Sequence, residues 1–471
     1  MSNFIGIAYL VAAVSFILGL RFLGSPVTAR MGNRVAAAGM TLAVIVTFLI
    51  PLADKSYHPK AVNWIIVAVG ILIGASVGII SARKVLMTAM PQMVAIFNGM
   101  GGGAAALVST LELIHLTAGT TLDSHGGELA TIMLGTAIGS VSFSGSIVAF
   151  AKLQELVGGN AVRIPFQPVI VIAMIVAIVA VGLVASIVTA SYAVFFILIV
   201  LAILLGLLLV VPIGGADMPV VISLMNSMTG VATALTGFVL SNELLIVAGA
   251  LVGASGTLLT LIMARAMNRP LTNVLFGAFG ATPTAAAVTG GPTGTVKEIS
   301  VTDAAMLMSY ANQVIMVPGY GLAVAQAQHQ MHELGAMLED KGVSVKYAIH
   351  PVAGRMPGHM NVLLAEADVP YSQLFDMDEV NGEFAHSDVA LVVGANDVTN
   401  PAARTDTSSP IYGMPILNVD HAQHIIVMKR SMRPGFAGID NPLYLDPKTT
   451  MLFGDAKDSL TKLVNAVKSA P

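Results

Sequence analysis

The sequence predicts a polytopic all-α membrane domain with about nine transmembrane helices, then a Rossmann-like α/β domain with a parallel, doubly wound six-stranded sheet. Three observations predict this fold class. The 471 residues are 55% hydrophobic and 10% charged, with a mean hydropathy of +0.82, whereas soluble domains carry about a quarter charged residues. The charge is uneven, because residues 1–270 hold only 11 of the 23 Lys and Arg and 7 of the 26 Asp and Glu. After residue 312, β-branched runs alternate with helical stretches, which is typical of a parallel sheet.

These patterns divide the chain into a transmembrane domain at 1–269, a flexible linker at 270–300 and a soluble domain at 301–471. The linker begins with an uncharged stretch rich in Gly, Thr, Pro and Ala, a composition typical of loops. Thr302 and Asp303 then resemble a helix start. The chain has no cysteine, which excludes disulfides, thiolate metal sites and cysteine nucleophiles.

Membrane spans are the first predicted elements, because a spanning helix needs about 20 mainly apolar residues. The N-terminal stretch "MSNFIGIAYL" has no basic region before its apolar run, so we interpret it as part of a first span rather than a cleaved signal. The stretch "GMGGGAAALVS" at 99–109 favours close helix packing, although a helix break there is an alternative. The predicted spans are 4–21, 35–52, 61–81, 88–110, 129–151, 167–188, 192–212, 219–240 and 243–264.

The loops between the spans predict the orientation of the chain. Basic residues mark the cytoplasmic side of membrane proteins, and the opposite loops hold only Lys55 and Lys60. With an odd number of spans, the N-terminus lies outside and the soluble domain lies in the cytoplasm. The alternate, basic loops carry Arg21, Arg30, Arg34, Arg83, Lys84, Lys152, Arg163, Arg265 and Arg269.

Several polar residues interrupt the spans, and such residues are costly in lipid and indicate a pathway. The candidates are Asn98, His115, Ser146, Asp217 and Asn226. For a lone Asn or Ser, a hydrogen bond between helices is the alternative explanation. No span has the spacing of metal ligands, and none has a central Lys or Arg for an anion. A small ion, most simply a proton, therefore fits best.

The soluble half contains six apolar runs that predict strands. Helical stretches near 321–340, 359–367 and 455–469 alternate with several of them, as in doubly wound sheets. The runs are "QVIMV", "VSVKYAI", "DVALVVG", "MPILNV", "HIIVMK" and "TMLFG".

A glycine loop follows the first of these strands and opens a helix. Gly319, Gly321 and Val324 form G-x-G-x-x-V, in which glycines permit a tight turn and let backbone N–H groups approach a pyrophosphate. The position between strand and helix is the context that supports dinucleotide binding.

The type of dinucleotide depends on the ends of two other strands. An NAD site usually has an acid after the second strand, but "YAIHPVAGR" offers His350 and Arg355 and no carboxylate. Further on, "IIVMKRSM" ends in Lys429, Arg430 and Ser431, two cations and a hydroxyl suited to a phosphate. The alternative is a solvated strand end. Together these features predict NADP.

Two more loops are candidates for the site, because ligands bind at the carboxyl ends of strands in open α/β sheets. In "GANDVTNPAART" at 394–404, Asp397 accepts a bond from a carboxamide or ribose, or else forms an Asx turn. "RPGFAGIDNP" at 433–442 has the composition of a mobile lid, and a plain surface turn is the alternative.

Over almost its whole length, the sequence strongly resembles the β subunits of proton-translocating NAD(P) transhydrogenases. The resemblance implies hydride transfer between NADH on a separate α-type subunit and NADP⁺ on this chain, coupled to inward proton movement by conformational change. It implies one or two partner chains, a dimer of protomers, the lipid bilayer of the bacterial cytoplasmic (inner) membrane, and no nucleic acid. The motifs are "GGADMPVV" (214–221), "NRP" after the last span, "PGYGLAVAQAQ" (318–328), "HPVAGRMPGHMNVLLAEA" (350–367), "GANDVTNPAA" (394–403), "KRSM" (429–432) and "MLFGDAK" (451–457).

The resemblance also assigns roles to residues. Proton translocation falls to residues 1–269, where the polar residues Asn98, His115, Ser146, Asp217 and Asn226 remain our candidates for the path, and NADP(H) binding falls to 301–471. Asp397 and His350 lie in loops on the nicotinamide side and position the cofactor. The implied cofactor-binding residues are Gly319, Tyr320, Gly321, Val324, Ala325, Val352, Ala353, Gly354, Arg355, Gly394, Ala395, Asn396, Asp397, Lys429, Arg430, Ser431, Gly435, Phe436, Ala437, Gly454 and Asp455.

Two positions depart from the family pattern. Asn98 stands where some members have a histidine linked to the proton path, so the titrating group must lie elsewhere, and His115, Asp217 and a residue of the partner subunit are candidates. Phe436 stands where some relatives have a lid tyrosine. The alternative functions are an ion channel or transporter regulated by a nucleotide-sensing Rossmann domain, and a structural membrane anchor for a redox partner.

Overall fold

The computed structural model describes most of the chain as two compact units, Met1–Pro212 with Val221–Thr260, and Ile213–Val220 with Leu261–Pro471. Each unit is treated by itself below. The described residues are 2–53, 60–119, 126–154, 156–157, 164–187, 192–213, 217–267, 270–276, 295–356, 358–407, 409, 411–435 and 437–470.

Nine long helices make up the N-terminal half of the described chain. Each is long and apolar enough to cross a membrane, which confirms the predicted spans. They are α1 (Ser2–Leu23), α2 (Pro26–Ala53), α3 (Ala61–Lys84), α4 (Met90–Gly119), α5 (Gly126–Leu153), α6 (Gln167–Ile187), α7 (Tyr192–Val210), α8 (Met218–Val239) and α9 (Glu243–Ala266).

The glycine-rich stretch at 99–109 is continuous helix within α4, so the alternative of a break is not observed. Gly102 lies directly against α5, where an added Cβ would come within 3.0 Å of the Gly139 carbonyl oxygen. Conversely, an added Cβ at Gly139 would meet the backbone of Ala106 at 3.0 Å. The small residues therefore serve close packing of the two backbones.

The C-terminal end of α7 is capped by side chains from two neighbouring helices. Lys152, at the end of α5, is only 3% exposed and donates from Nζ to the Val211 carbonyl. Gln167, the first residue of α6, donates from Nε2 to the Leu208 carbonyl at 2.8 Å. The last carbonyls of a helix lack partners within it, and these bonds satisfy two of them. Lys152 was expected in a loop, and the structure places it in the helix.

The C-terminal half contains one sheet of six parallel strands in the order β3-β2-β1-β4-β5-β6, which confirms the doubly wound α/β fold. The strands are β1 (Gln313–Pro318), β2 (Ser344–Ile349), β3 (Leu374–Asp376), β4 (Val389–Val393), β5 (His424–Lys429) and β6 (Thr449–Phe453). The helices are α10 (Leu271–Phe276), α11 (Val301–Ser309), α12 (Tyr320–Ala325), α13 (Gln328–Asp340), α14 (His359–Glu366), α15 (Met377–Val380), α16 (Ala402–Thr405) and α17 (Ala456–Ser469).

One predicted strand is wrong, and one real strand was missed. "MPILNV" at 414–419 is not a strand, although Leu417 and Val419 are fully buried in the core on one face of the sheet. Its backbone bonds go to the Asn381 side chain and to Val398 rather than to a ladder. The missed strand, β3, has three partly exposed residues at the sheet edge. Segment 414–419 has the apolar composition of a strand because it is buried. β3 was missed because it is only three residues long.

Both described ends of the predicted linker have structure. Residues 271–276 form α10, and the backbone around Glu298 pairs in parallel with Met451, through bonds of 2.7 and 3.0 Å. This pairing covers part of β6, an edge strand whose backbone groups would otherwise be unpaired. The middle of the linker, 277–294, lies outside the described residues.

Candidate functional site

The loops after five of the six strands surround a cavity of about 550 Å³, a volume within the usual range for cofactor sites. It lies at the carboxyl ends of β1, β2, β4, β5 and β6, where ligands bind in open α/β sheets. Most of the residues proposed from the sequence line it, namely Gly319, Tyr320, Gly321, Val324, Val352, Ala353, Gly354, Arg355, Gly394, Ala395, Asn396, Asp397, Lys429, Arg430, Ser431, Gly435, Ala437 and Gly454.

Three of the proposed residues do not line this cavity. Ala325 ends the short helix α12, and Asp455 caps the N-terminus of α17, where its carboxylate accepts from the Lys457 amide at 3.0 Å. His350 is 1% exposed and lies behind the cavity wall. Phe436 lies outside the described residues.

The glycine loop is held against the loop that follows β4. The Gly319 amide donates to the Val393 carbonyl, and the Gly321 amide donates to the Gly394 carbonyl, both at 2.9 Å. An added Cβ at Gly321 would lie 2.7 Å from the Gly394 Cα atom. The sequence suggested that these N–H groups face a pyrophosphate. Instead, two of them join the loops, so the glycines provide a close backbone approach that forms the cavity wall.

The cavity is electropositive, because four cations line it against one carboxylate in the described lining, that of Asp397. The cations are Arg355, Lys429, Arg430 and Arg433. Such a lining suits a ligand with several phosphate charges. A dinucleotide with an extra 2′-phosphate therefore fits the residues present.

The two cations of "KRSM" already contact other groups of the chain. Lys429 donates from Nζ to the Arg433 carbonyl at 2.6 Å, and it lies 4.7 Å from the centre of the Tyr444 ring. Burial lowers the pKa of Lys429, while Asp397 acts in the opposite direction. Arg430 forms an ion pair of 2.7 Å with Asp455 and remains largely exposed. Both charges are thus held at the end of β5.

Asn396 is a donor that the surrounding chain orients. Its Oδ1 accepts from the Tyr444 hydroxyl at 2.7 Å and from the Asn441 Nδ2 at 3.1 Å. Its Nδ2 is buried and has no hydrogen-bond partner among the described residues. Beside it, Asp397 accepts the Ala437 amide at 3.0 Å, which fastens Ala437 to the loop after β4. A buried donor of this kind fits an acceptor group on a ligand.

His350 links two segments instead of facing the cavity. Its Nε2 lies 2.8 Å from the Pro415 carbonyl, and its Nδ1 accepts the Val352 amide at 3.2 Å. These partners require the neutral tautomer with the proton on Nε2. Burial lowers the pKa of His350 to about 4. The residue therefore positions the loop that carries Val352.

We expect His350 to make the soluble domain sensitive to acid. Its pKa is 6.5 when unfolded and about 4 when folded, so the unfolded chain binds the proton first. The contribution of His350 to the free energy of unfolding is fully present above about pH 6.5. As the pH falls to about 4, this contribution decreases by about 3 kcal/mol. His350→Gln replaces the imidazole with an amide that has one donor group and one acceptor and does not titrate, and it is expected to flatten this dependence. Hydrogen exchange in residues 344–356, corrected for intrinsic pH effects, measures it.

A matched control for this prediction is His329→Gln, because His329 is exposed on α13. That variant is expected to retain the pH dependence of the unchanged chain. An equal pH dependence in the His350 and His329 variants would contradict the role of His350.

In the membrane helices, two of the proposed path residues meet. The Asn98 Nδ2 on α4 donates to the Ser146 hydroxyl on α5 at 2.9 Å. Ser142 joins this cluster, lying 3.5 Å from Asn98 and 2.6 Å from the Thr229 hydroxyl on α8. Asn98, Ser142, Ser146 and Thr229 are called the Asn98 cluster below. It connects three helices through polar groups.

The other three proposed path residues lie apart from the Asn98 cluster. His115 is mostly exposed and lies 3.7 Å from Glu112, one turn earlier on α4. Asp217 is buried and directly precedes α8. Asn226 is half-buried on α8 and makes no hydrogen bond to the cluster within the described part of the chain.

The chain resembles known proteins of one family over nearly its whole length. The family described as NAD(P) transhydrogenase beta subunit matches residues 5–466. The chain belongs to this family. The NAD(P) transhydrogenase subunit beta of Rhodospirillum rubrum is 50% identical over 465 residues, which cover 98% of each chain. A second sequence of that name, from a defined strain of the same organism, has the same identity and coverage.

Sequence reasoning missed several residues that shape the cavity of this transhydrogenase beta subunit. Ile411 and Met414 line it; Ile411 precedes the segment 414–419 that the sequence predicts as a strand, and Met414 begins that segment. Tyr444 and Asn441 do not line it, yet they orient Asn396. The sequence signal for them is the Asn-Pro pair in "GIDNPLY", which indicates a turn and no specific contact.

Proposed function

We propose that this chain is the NADP(H)-binding and proton-translocating subunit of a transhydrogenase, and that NAD(H) binds to its α subunit. Membership of the family implies that both cofactors are used, and the name beta subunit implies an α partner. One observation supports the assignment of NADP(H) to this chain. Among the described residues, the cavity is lined by four cationic side chains and one carboxylate.

The chain's own residues hold and orient the cofactor rather than react with it. Lys429 and Arg430 bind the 2′-phosphate, and the glycine loop forms the wall beside the pyrophosphate. Asn396 and Asp397 face the nicotinamide end, where the segment 433–442 excludes water. The bound nicotinamides supply the hydride donor and acceptor, and the protein supplies orientation and electrostatics. Direct transfer needs no acid or base from this chain.

Hydride transfer between two nicotinamides consumes no net proton, so proton movement acts through conformation. Protonation in the membrane domain changes the relative affinity for NADP⁺ and NADPH, and linkage makes the effect reciprocal. One charge crossing a potential of about 150 mV releases about 3.5 kcal/mol. That energy shifts an equilibrium roughly 300-fold, which is sufficient for the coupling. The soluble domain lies in the cytoplasm, and protons move inward.

Reconstitution with the α subunit in vesicles tests this function. Nucleotide-dependent proton uptake together with hydride transfer is expected. Movement of another ion without hydride transfer would favour a channel or transporter that senses nucleotide. Hydride transfer without any proton movement would favour a structural anchor.

Asp217→Asn is expected to reduce proton pumping and to slow NADP(H) release, each by about tenfold, the usual scale of a coupling energy. The reason is that Asp217 is a buried acid at the start of α8. An isolated fragment of residues 290–471 is expected to keep its affinity for NADP(H). Proton uptake by vesicles and fluorescence of released NADPH measure the two effects.

The matched control is Glu243→Gln, which removes the acid in the first turn of α9. This variant is expected to pump protons at the rate of the unchanged chain. Normal pumping in Asp217→Asn would remove Asp217 from the mechanism.

A further inference from the structure

The α4–α8 interface contains a second pair of buried hydroxyl groups, separate from the Asn98 cluster. Ser109 on α4 is fully buried, and Thr236 on α8 is 5% exposed. Their hydroxyl oxygens lie 3.5 Å apart. The Thr236 hydroxyl donates to the Ala232 carbonyl of its own helix at 3.0 Å and also lies 3.5 Å from the Ala105 carbonyl oxygen on α4. Two hydroxyls and a carbonyl thus meet between the two helices.

This pair repeats the geometry of the Asn98 cluster further along the same helices. In the cluster, the Thr229 hydroxyl lies 3.5 Å from the Asn98 carbonyl oxygen. Thr236 and Ala105 repeat that contact at the same distance, and both members are shifted by seven residues. Seven residues are about two turns, or about 10 Å along the axis. The two sites therefore occupy one face of each helix.

The second pair lies on the side of the Asn98 cluster towards the titratable groups of α4. Glu112 follows Ser109 by three residues, which places both on one helix face. Its carboxylate lies 3.7 Å from the His115 ring. Along α4, the order is therefore the Asn98 cluster, then Ser109, then Glu112 and His115. Ser109 therefore lies between these two titratable groups and the Asn98 cluster along the helix axis.

We propose that Ser109 and Thr236 are a relay for the proton between Glu112 and the Asn98 cluster. The inference rests on the proposed function, because it extends its proton path. A hydroxyl both accepts and donates. Each oxygen receives a proton from one side and gives up its own to the other, so neither side chain changes its net charge. Water carries the proton over the roughly 10 Å between the pair and the Asn98 cluster. An ordinary hydrogen bond between helices is the competing explanation.

Removing the hydroxyl of Thr236 without changing the shape of the side chain tests the proposal. Thr236→Val in the complex with the α subunit, reconstituted in vesicles, is expected to lower the protons moved per hydride by about tenfold, a modest loss for a proton-transfer group. Thr236→Ser, which keeps a hydroxyl, is expected to restore the ratio to within about twofold of the unchanged complex. Ser109→Ala is expected to act like Thr236→Val.

The matched control is Thr110→Val, next to Ser109 at the same depth in α4. Thr110 is half-buried, and its hydroxyl donates to the Ala106 carbonyl of its own helix at 2.7 Å, as the Thr236 hydroxyl does to Ala232. Unlike Thr236, it makes no hydrogen bond to another helix among the described residues. The complex that carries Thr110→Val is expected to move as many protons per hydride as the unchanged complex.

A parallel loss of proton movement and hydride transfer in Thr236→Val would show a packing role and overturn the proposal. An unchanged ratio in that variant would also overturn it. A lack of proton uptake by the unchanged complex would instead overturn the proposed function, and this inference with it.

Discussion

NADP(H) binding is expected to weaken by roughly a thousandfold when Lys429→Met and Arg430→Gln are combined. Each charge-assisted bond to a phosphate contributes about 1.5–3 kcal/mol, and tenfold in affinity corresponds to about 1.4 kcal/mol. Both side chains line the cavity at the end of β5. The weak binding of NAD⁺, which has no 2′-phosphate, is expected to change little. Titration of the detergent-solubilised chain with NADPH and NADH, followed by fluorescence, measures both affinities.

Arg404→Gln is the matched control for the phosphate site. Arg404 forms a 2.5 Å ion pair with Asp420 in the same domain, and it does not line the cavity. Arg404→Gln is expected to leave the ratio of the affinities for NADP(H) and NAD(H) unchanged. A double variant that still prefers NADP(H) would show that the 2′-phosphate is recognised by other residues.

The sheet could be predicted because buried parallel strands are continuous apolar runs. β1, β4 and β5 are almost entirely buried, and their sequences are rich in Val and Ile. The same rule fails for the segment 414–419, which is buried against the sheet without pairing to it. Burial and ladder pairing produce the same composition, so one sequence does not distinguish them.

The site could be predicted to the level of loops but not of contacts. The glycine loop and "KRSM" both line the cavity, because loops at the carboxyl ends of parallel strands converge. The hydrogen bond from the Gly321 amide to the Gly394 carbonyl was not predictable, because it depends on how closely two loops that are distant in sequence approach each other. In the membrane domain, Asn98 and Ser146 were candidates individually. Their 2.9 Å contact across 48 residues depends on helix packing, which polarity alone does not determine.

Gly321→Ala is expected to separate the glycine loop from the loop after β4. The added Cβ would lie 2.7 Å from the Gly394 Cα atom, and Gly394 has a φ of +67°, so neither backbone yields easily. Such overpacking costs about 1–3 kcal/mol, and a cofactor displaced by about 1 Å loses roughly a hundredfold in hydride-transfer rate. Gly382→Ala is the control, because its Cβ would meet nothing within 4 Å. Stopped-flow hydride transfer in the complex with the α subunit measures both variants. Equal hydride-transfer rates in Gly321→Ala and Gly382→Ala would contradict this prediction. The close contact between Gly321 and Gly394 would then be unnecessary for catalysis.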